Sequence, residues 1–297
     1  MAIYYCSVSI ISRGDGRSAV AAAAIRAAET LRDERNGRRC RSPATNPAPA
    51  HAEILAPAAA PVWMRDRERL WNAVEAAEKR KDSQLARQIT LSLPRELDHR
   101  QQIELVRGFA HEQLVACGMV VDLTVRETIA RDGRRQRAAV LMATTRQIDP
   151  TMPSGFAPAK ERAWNGKAAL YAWRKAWAAH LNTALAAAGS DARVDHRTLE
   201  AQRQEALQRG DHAQARALDR LPQPKLGRHA DELERRGIAT ERGDLLRDTE
   251  EYNQLTQQLY DLHDQIEMLQ AARHAEEPDT PDLTSDGRSI DRPLHAP

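Results

Sequence analysis

The chain has 297 residues, of which 29% are charged and 41% are hydrophobic, and its formal net charge is +2. This length allows one sizeable core with an appendage. No apolar run approaches the roughly 20 residues that cross a bilayer, and the N-terminus lacks the basic and then apolar plan of a signal peptide. We therefore expect no membrane insertion and a cytoplasmic location. The three cysteines lie far apart, which predicts reduced thiols.

Apolar and polar residues alternate in several stretches, and one stretch is apolar on both faces, as in a central strand. We predict strands at 2–11, 87–93, 119–126 and 137–145. Asp132-Gly133 marks a hairpin turn between the last two. A further short strand is possible at 190–197.

Longer stretches carry apolar residues at helical spacing, and Ser18 is a plausible N-cap for the first of them. We predict helices at 19–32, 63–82, 98–117 and 165–188. Residues 41–50 carry three prolines and are predicted to form a loop. Strands with helices between them predict an α+β domain, with helices covering one side of an antiparallel sheet.

The composition becomes more polar after about residue 200, so we predict a folded domain at 1–200 and a polar linker or extension at 201–243. A helical, coiled-coil-like segment is predicted at 244–274, and a disordered tail at 275–297. Within the 244–274 segment, apolar residues recur at spacings of 4, 3, 4 and 3. These residues form an apolar seam: Leu255, Leu259, Leu262, Ile266 and Leu269. This seam could pack on its own domain or form a dimer through 244–272, and the pattern does not decide between them.

Arginines are concentrated between Arg126 and Arg146, where few acidic residues oppose them. Local positive charge of this kind suits phosphate groups. A solvated loop that is rich in arginine would give the same pattern, and the cluster by itself favours neither interpretation.

Ordered sequence blocks between residue 1 and about 244 resemble the MobA/MobL mobilisation relaxases. The clearest are Ile11-Ser12-Arg13, Gly16-Arg17-Ser18-Ala19-Val20, Leu70-Trp71-Asn72-Ala73-Val74-Glu75 and Val194-Asp195-His196-Arg197-Thr198-Leu199. The resemblance implies an HUH-endonuclease fold, an antiparallel sheet flanked by helices. It also implies nicking of transfer-origin DNA by a tyrosine, with Mg²⁺ or Mn²⁺ held by three histidines, and relaxosome or coupling proteins as partners.

This chain departs from the family at the positions that carry that chemistry. Ile25 stands where the resemblance places the nucleophilic tyrosine, and Arg126, Ala138 and Val140 stand at the three metal-binding histidines. None of the four side chains can attack a phosphodiester or hold a divalent metal. We therefore expect no metal cofactor and lean against enzymatic activity. Tyr5 is the best substitute nucleophile, and Asp122 and Glu127 could bind a metal nearby.

Three hypotheses follow. The first is a catalytically degenerate relaxase homologue that binds single-stranded or transfer-origin DNA through arginines. The candidate residues are Arg13, Arg17, Arg126, Arg134, Arg135, Arg137 and Arg146. The second is an active nickase with relocated residues, Tyr5 among them. The third is a relaxosome interaction module that does not bind DNA.

Overall fold

The computed structural model describes residues 4–44, 46–129 and 133–276. The chain divides into two compact units, the first ending at His196 and the second beginning at Arg197. Three parts of the predictions lie outside the described residues: positions 2–3 of the first strand, Asp132 of the predicted turn, and the tail from residue 277 onwards.

The first unit is built on an antiparallel sheet. Its described strands, in chain order, are β1 Cys6–Ser12, β2 Thr30–Asp33, β3 Arg38–Arg41, β4 His51–Leu55, β5 Gln84–Ser92, β6 Val121–Ile129 and β7 Arg135–Thr144. Five of them form one sheet in the order β1-β5-β7-β6-β4, and β2 pairs with β3 in a separate hairpin. The strand predicted at 137–145 is therefore central, as its apolar faces indicate.

Helices pack on both faces of this sheet. The described α-helices of the unit are α1 Ala19–Ala27, α2 Arg67–Ala77, α3 His99–Gln113 and α4 Lys167–Ala187. On one face, Phe109 of α3 and Trp177 of α4 pack edge to face and belong to the same core as Leu141 of β7. On the other face, Trp71 of α2 and Met142 of β7 share a second core with α1. The prediction that helices cover one side of the sheet was wrong, because α1 and α2 cover part of the other.

The helix predicted at 19–32 is shorter than expected. It ends at Ala27, because Ala28 adopts the left-handed conformation with φ 57° and donates its N–H to Ala24. The chain then enters β2 and β3. The strand possible at 190–197 is absent from these described residues, because Asn182 of α4 hydrogen-bonds both the N–H and the C=O of Val194 and so replaces a strand partner.

The second unit is helical in its described residues. Three short helices lie in and beside the segment predicted as a polar linker, and one long helix follows: α5 Leu199–Gln208, α6 His212–Leu218, α7 Gly227–Arg235 and α8 Glu241–Glu276. The 36 residues of α8 include the helix predicted at 244–274. Among the residues that the structure describes, no helix combines the length and apolar character needed to span a membrane.

Candidate functional site

The sheet register brings together the positions at which this chain departs from the relaxase pattern. Direct cross-strand partners on β5, β7 and β6 form two adjacent rows, Thr90–Val140–Thr124 and Ser92–Ala138–Arg126. Side chains in such rows share one face of the sheet, with neighbouring strands about 4.8 Å apart. Three of the four substituted positions are therefore neighbours on one face, which the alternation in the sequence could only suggest.

The fourth position, Ile25, is placed beside them by α1. Its side chain is exposed, and its carbonyl oxygen accepts a hydrogen bond of 2.6 Å from Nη2 of Arg126. The same guanidinium donates to the carbonyl of Arg26 at 2.8 Å and to the side chain of Asn46. All four substituted positions thus converge at the C-terminal end of α1.

Arg126 acts as an anchor for α1. The carbonyls at a helix C-terminus lack intrahelical partners and carry partial negative charge, so a guanidinium is a favourable ligand for them. Its Nε and Nη2 groups donate to carbonyl oxygens of the protein, and the phosphate contact predicted from the sequence stays a prediction. In this structure the arginine holds a helix against the sheet.

A second polar link joins α1 to the sheet. Arg26 donates to the carbonyl of Ala22 and to the side-chain oxygen of Gln88 on β5. Gln88 in turn donates to the hydroxyl of Thr90 at 3.3 Å. The face around Ala138 and Val140 therefore presents hydroxyl, amide and guanidinium groups.

These residues do not fit a divalent metal. A divalent ion needs carboxylate, imidazole or thiolate ligands, whereas the face offers a fixed cation and two aliphatic side chains. Within the described ranges, no group of three or more His, Cys, Asp or Glu side chains is arranged to hold a metal ion. Asp122 and Glu127 do not combine either, because they lie on opposite faces of β6.

Asp122 instead stabilises the second core. Its carboxylate is buried and accepts from Trp71 Nε1 at 2.9 Å and from Arg67 Nε and Nη2 at 2.9 and 3.0 Å. Burial tends to lower the pKa of Arg67, but the hydrogen bonds and charge of Asp122 outweigh it and the pKa is raised. This is a structural ion pair.

Tyr5 lies at the edge of the face. Its carbonyl accepts from the N–H of Ser92, which is the cross-strand partner of Ala138. Two strand spacings, about 10 Å, therefore separate the backbones at positions 5 and 138. Tyr5 as a relocated nucleophile stays a prediction.

Two of the predicted DNA-binding arginines are largely buried. Arg13 is 9% exposed and donates to the Glu75 carboxylate at 2.6 Å and to the carbonyls of Glu75, Glu78 and Arg80. Arg146 pairs with the Glu78 carboxylate at 2.8 Å. These guanidinium groups hold the end of α2 in place, and their assignment to DNA contacts stays a prediction.

Two others lie on the far face of the sheet. Arg135 and Arg137 both form ion pairs with Glu127, and Arg137 also donates to Gln102 of α3. Odd and even positions of a strand face opposite ways, so neither residue borders Ala138 and Val140. A DNA contact by Arg135 or Arg137 would therefore lie on the face of the sheet opposite Ala138 and Val140, and it stays a prediction.

The remaining two predicted arginines are exposed, Arg17 before α1 and Arg134 directly before β7. Arg17 donates to the carbonyl of Ile10 at 3.2 Å. The β2–β3 hairpin, which the sequence-based predictions did not include, packs beside α1 and carries exposed arginines. The Asn36-Gly37 pair between its strands is a hairpin signal that could have revealed it.

The five-stranded antiparallel sheet, with α1 ending at the site, has a counterpart among solved structures. The solved structure from "Molecular Basis of Vancomycin Resistance Transfer in Staphylococcus aureus" matches with a TM-score of 0.60 and 33% identity, covering 66% of this chain and 99% of that chain. The MobA/MobL family matches residues 17–236. The chain belongs to the MobA/MobL family.

Relatives of known name extend the comparison. "Conjugal transfer protein TraA" of Agrobacterium fabrum (strain C58 / ATCC 33970) is 35% identical over 232 residues, which is 68% of this chain and 20% of TraA. "Mobilization protein MobL" of Acidithiobacillus ferridurans is 38% identical over 125 residues, 42% of this chain and 32% of MobL. The match thus spans about a fifth of the length of TraA.

Proposed function

We propose that this chain binds transfer-origin DNA during conjugative transfer or plasmid mobilisation and does not nick it. One observation carries the proposal: the register and α1 bring Ile25, Arg126, Ala138 and Val140 to one place, and none of these side chains can perform the family chemistry. The fold around them is intact, which supports a retained binding role. A cytosolic location is part of the same proposal.

The loss is chemical at each position. Isoleucine has no hydroxyl that could attack phosphorus, and alanine and valine offer no lone pair to a metal. Without a metal, the charge that develops on the phosphate lacks its main stabilising group. Arg126 supplies one positive charge, but that charge faces the end of α1.

A DNA-adduct experiment tests this function. The purified chain is incubated with a labelled single strand carrying the cognate transfer origin and Mg²⁺ or Mn²⁺, with a family member that retains the tyrosine and histidines as positive control. We expect reversible, salt-dependent binding and no covalent protein–DNA species on a denaturing gel. An adduct of the unmodified chain that Tyr5→Phe abolishes would establish the relocated nickase instead.

A second candidate function, protein association, is favoured by α8. Its apolar seam is 44–68% exposed, at Leu255, Leu259, Leu262, Ile266 and Leu269. Other side chains of the helix contact the same unit, since Tyr260 hydrogen-bonds Asp219 and Asn253 hydrogen-bonds the backbone of Leu221. The apolar seam is therefore available to pack against another helix.

We propose a second copy of this chain as that partner. Seam residues alternate between two coiled-coil core positions, and the residues that flank them include no Lys, Arg, Asp or Glu: Thr256, Gln258, His263 and Gln265. Two identical helices can approach without repulsion between like charges at these flanks. A relaxosome or coupling protein with a matching seam would be the alternative partner.

Sedimentation equilibrium tests the dimer. Leu259→Asp should shift the chain from dimer to monomer, because it buries a charge in the seam, whereas Gln254→Asp on the polar side adds the same charge and should leave the dimer intact. If the unmodified chain stays monomeric at high micromolar concentration, self-association is contradicted.

A further inference from the structure

The β2–β3 hairpin has a basic outer face. Arg32 and Arg39 are direct cross-strand partners, and Arg41 lies two residues beyond Arg39 on the same side. All three side chains belong to exposed residues. The opposite side of the hairpin carries Leu31 and its partner Cys40, which pack into the second core.

The outer face is a concentration of positive charge. Within the residues that the structure describes, no carboxylate forms an ion pair with Arg32, Arg39 or Arg41. Like charges directly opposite each other on a sheet destabilise the pair. A hairpin selected only for stability would place an acidic or neutral residue at one of the two opposed positions.

The hairpin is held firmly despite this repulsion. Asn72 of α2 donates to the carbonyl of Arg32 at 2.8 Å and accepts from the N–H of Glu34 at 2.9 Å. The buried carboxylate of Asp33 accepts from the hydroxyl of Ser18, the N-cap of α1, at 2.9 Å. The charged face is therefore presented by a fixed backbone, which lowers the entropy lost when a ligand binds.

We propose that Arg32, Arg39 and Arg41 form a phosphate-binding face for the backbone of single-stranded DNA. The inference rests on the proposed DNA binding and names the part of the fold that would contact the DNA. The arginines predicted from the sequence mostly form hydrogen bonds or ion pairs within the protein. Guanidinium groups bind phosphate oxygens with paired N–H donors, and a phosphate between opposed arginines removes their repulsion. The hairpin packs on α1, and Arg126 anchors the C-terminal end of that helix beside Ala138.

A salt titration of DNA affinity tests this face. The triple variant Arg32→Gln, Arg39→Gln, Arg41→Gln is compared with the unmodified chain on a fluorescent single-stranded oligonucleotide. Loss of three phosphate contacts should reduce the slope of log K against log salt by about 2. Its Tm should be equal to or higher than that of the unmodified chain, because the like-charge pair is gone.

Two further variants serve as controls. Arg100→Gln, Arg162→Gln, Arg193→Gln removes the same charge from exposed positions elsewhere in the unit and should leave the slope nearly unchanged. The triple variant Arg32→Lys, Arg39→Lys, Arg41→Lys keeps the charge and should retain most of the slope. An unchanged slope in the glutamine hairpin variant, with binding by the unmodified chain intact, overturns this inference alone. Absence of any DNA binding by the unmodified chain overturns the proposed function as well.

Discussion

The triple variant Arg126→His, Ala138→His, Val140→His should bind a divalent transition metal. Positions 126 and 138 are direct cross-strand partners and position 140 lies on the same face, one row further along β7. Side chains so placed have Cβ atoms about 5–7 Å apart, from which three imidazoles can reach one ion. The backbone register is the part of the site that the chain has kept.

The measurement is a thermal melt with and without Zn²⁺, together with the visible absorption of bound Co²⁺. Free metal at a hundred times its Kd should stabilise the triple-histidine variant by about 2.7 kcal/mol. Ala138→His alone supplies one ligand and should show little metal dependence. If the Tm of the triple variant does not change when metal is added, the strands do not have the register described.

The histidine at position 126 carries a separate cost. Removing the Arg126 guanidinium leaves the carbonyls of Ile25 and Arg26 without its hydrogen bonds. Arg126→His in the absence of metal should therefore lower the free energy of unfolding by about 1–3 kcal/mol. The stability of the single variant provides the baseline from which metal stabilisation is measured.

The sheet was largely predictable from the sequence because its signal is local. Alternation identified β1, β5, β6 and β7, and it placed Ala138 and Val140 on one face. The same rule shows that Arg137 points away from Ala138. A high density of arginines along the chain therefore does not show that their side chains lie on one surface. Each arginine has to be assigned to a face before it is assigned to a ligand.

The hairpin and the anchoring contacts were harder to predict. The Ala-rich helix is capped by Ala28 and not by the glycine that usually marks a left-handed cap. The helix predicted from the sequence therefore extended too far, into β2. The partners of Arg126 lie 80 to 101 positions away along the chain, and those of Arg13 lie 62 to 67 positions away. Such contacts depend on the packing of α1 and α2 on the sheet, which no local pattern contains.

The contrast between Arg13 and Arg17 gives the largest expected effect on stability. Both were candidates for DNA contact, yet Arg13 is buried against Glu75, whose second oxygen accepts the N–H of Ala19 at the start of α1. Arg13→Gln leaves that buried carboxylate without its charged partner. Breaking a buried pair in this way costs about 3–5 kcal/mol. Arg13→Gln should therefore unfold at markedly lower urea concentration than the unmodified chain.

Arg17→Gln is the matched control, four residues along in the same connection. Arg17 is exposed and its guanidinium makes one hydrogen bond, to Ile10, so its loss should change stability by less than about 0.5 kcal/mol. If Arg17 contacts a phosphate, the salt slope for single-stranded DNA should fall by about 0.7, whereas folded Arg13→Gln should keep the full slope. Equal stability of the two variants would contradict the buried role of Arg13. A reduced slope in folded Arg13→Gln would show that Arg13 contacts DNA. The stability and the salt slope together therefore distinguish an arginine that stabilises the fold from one that binds DNA.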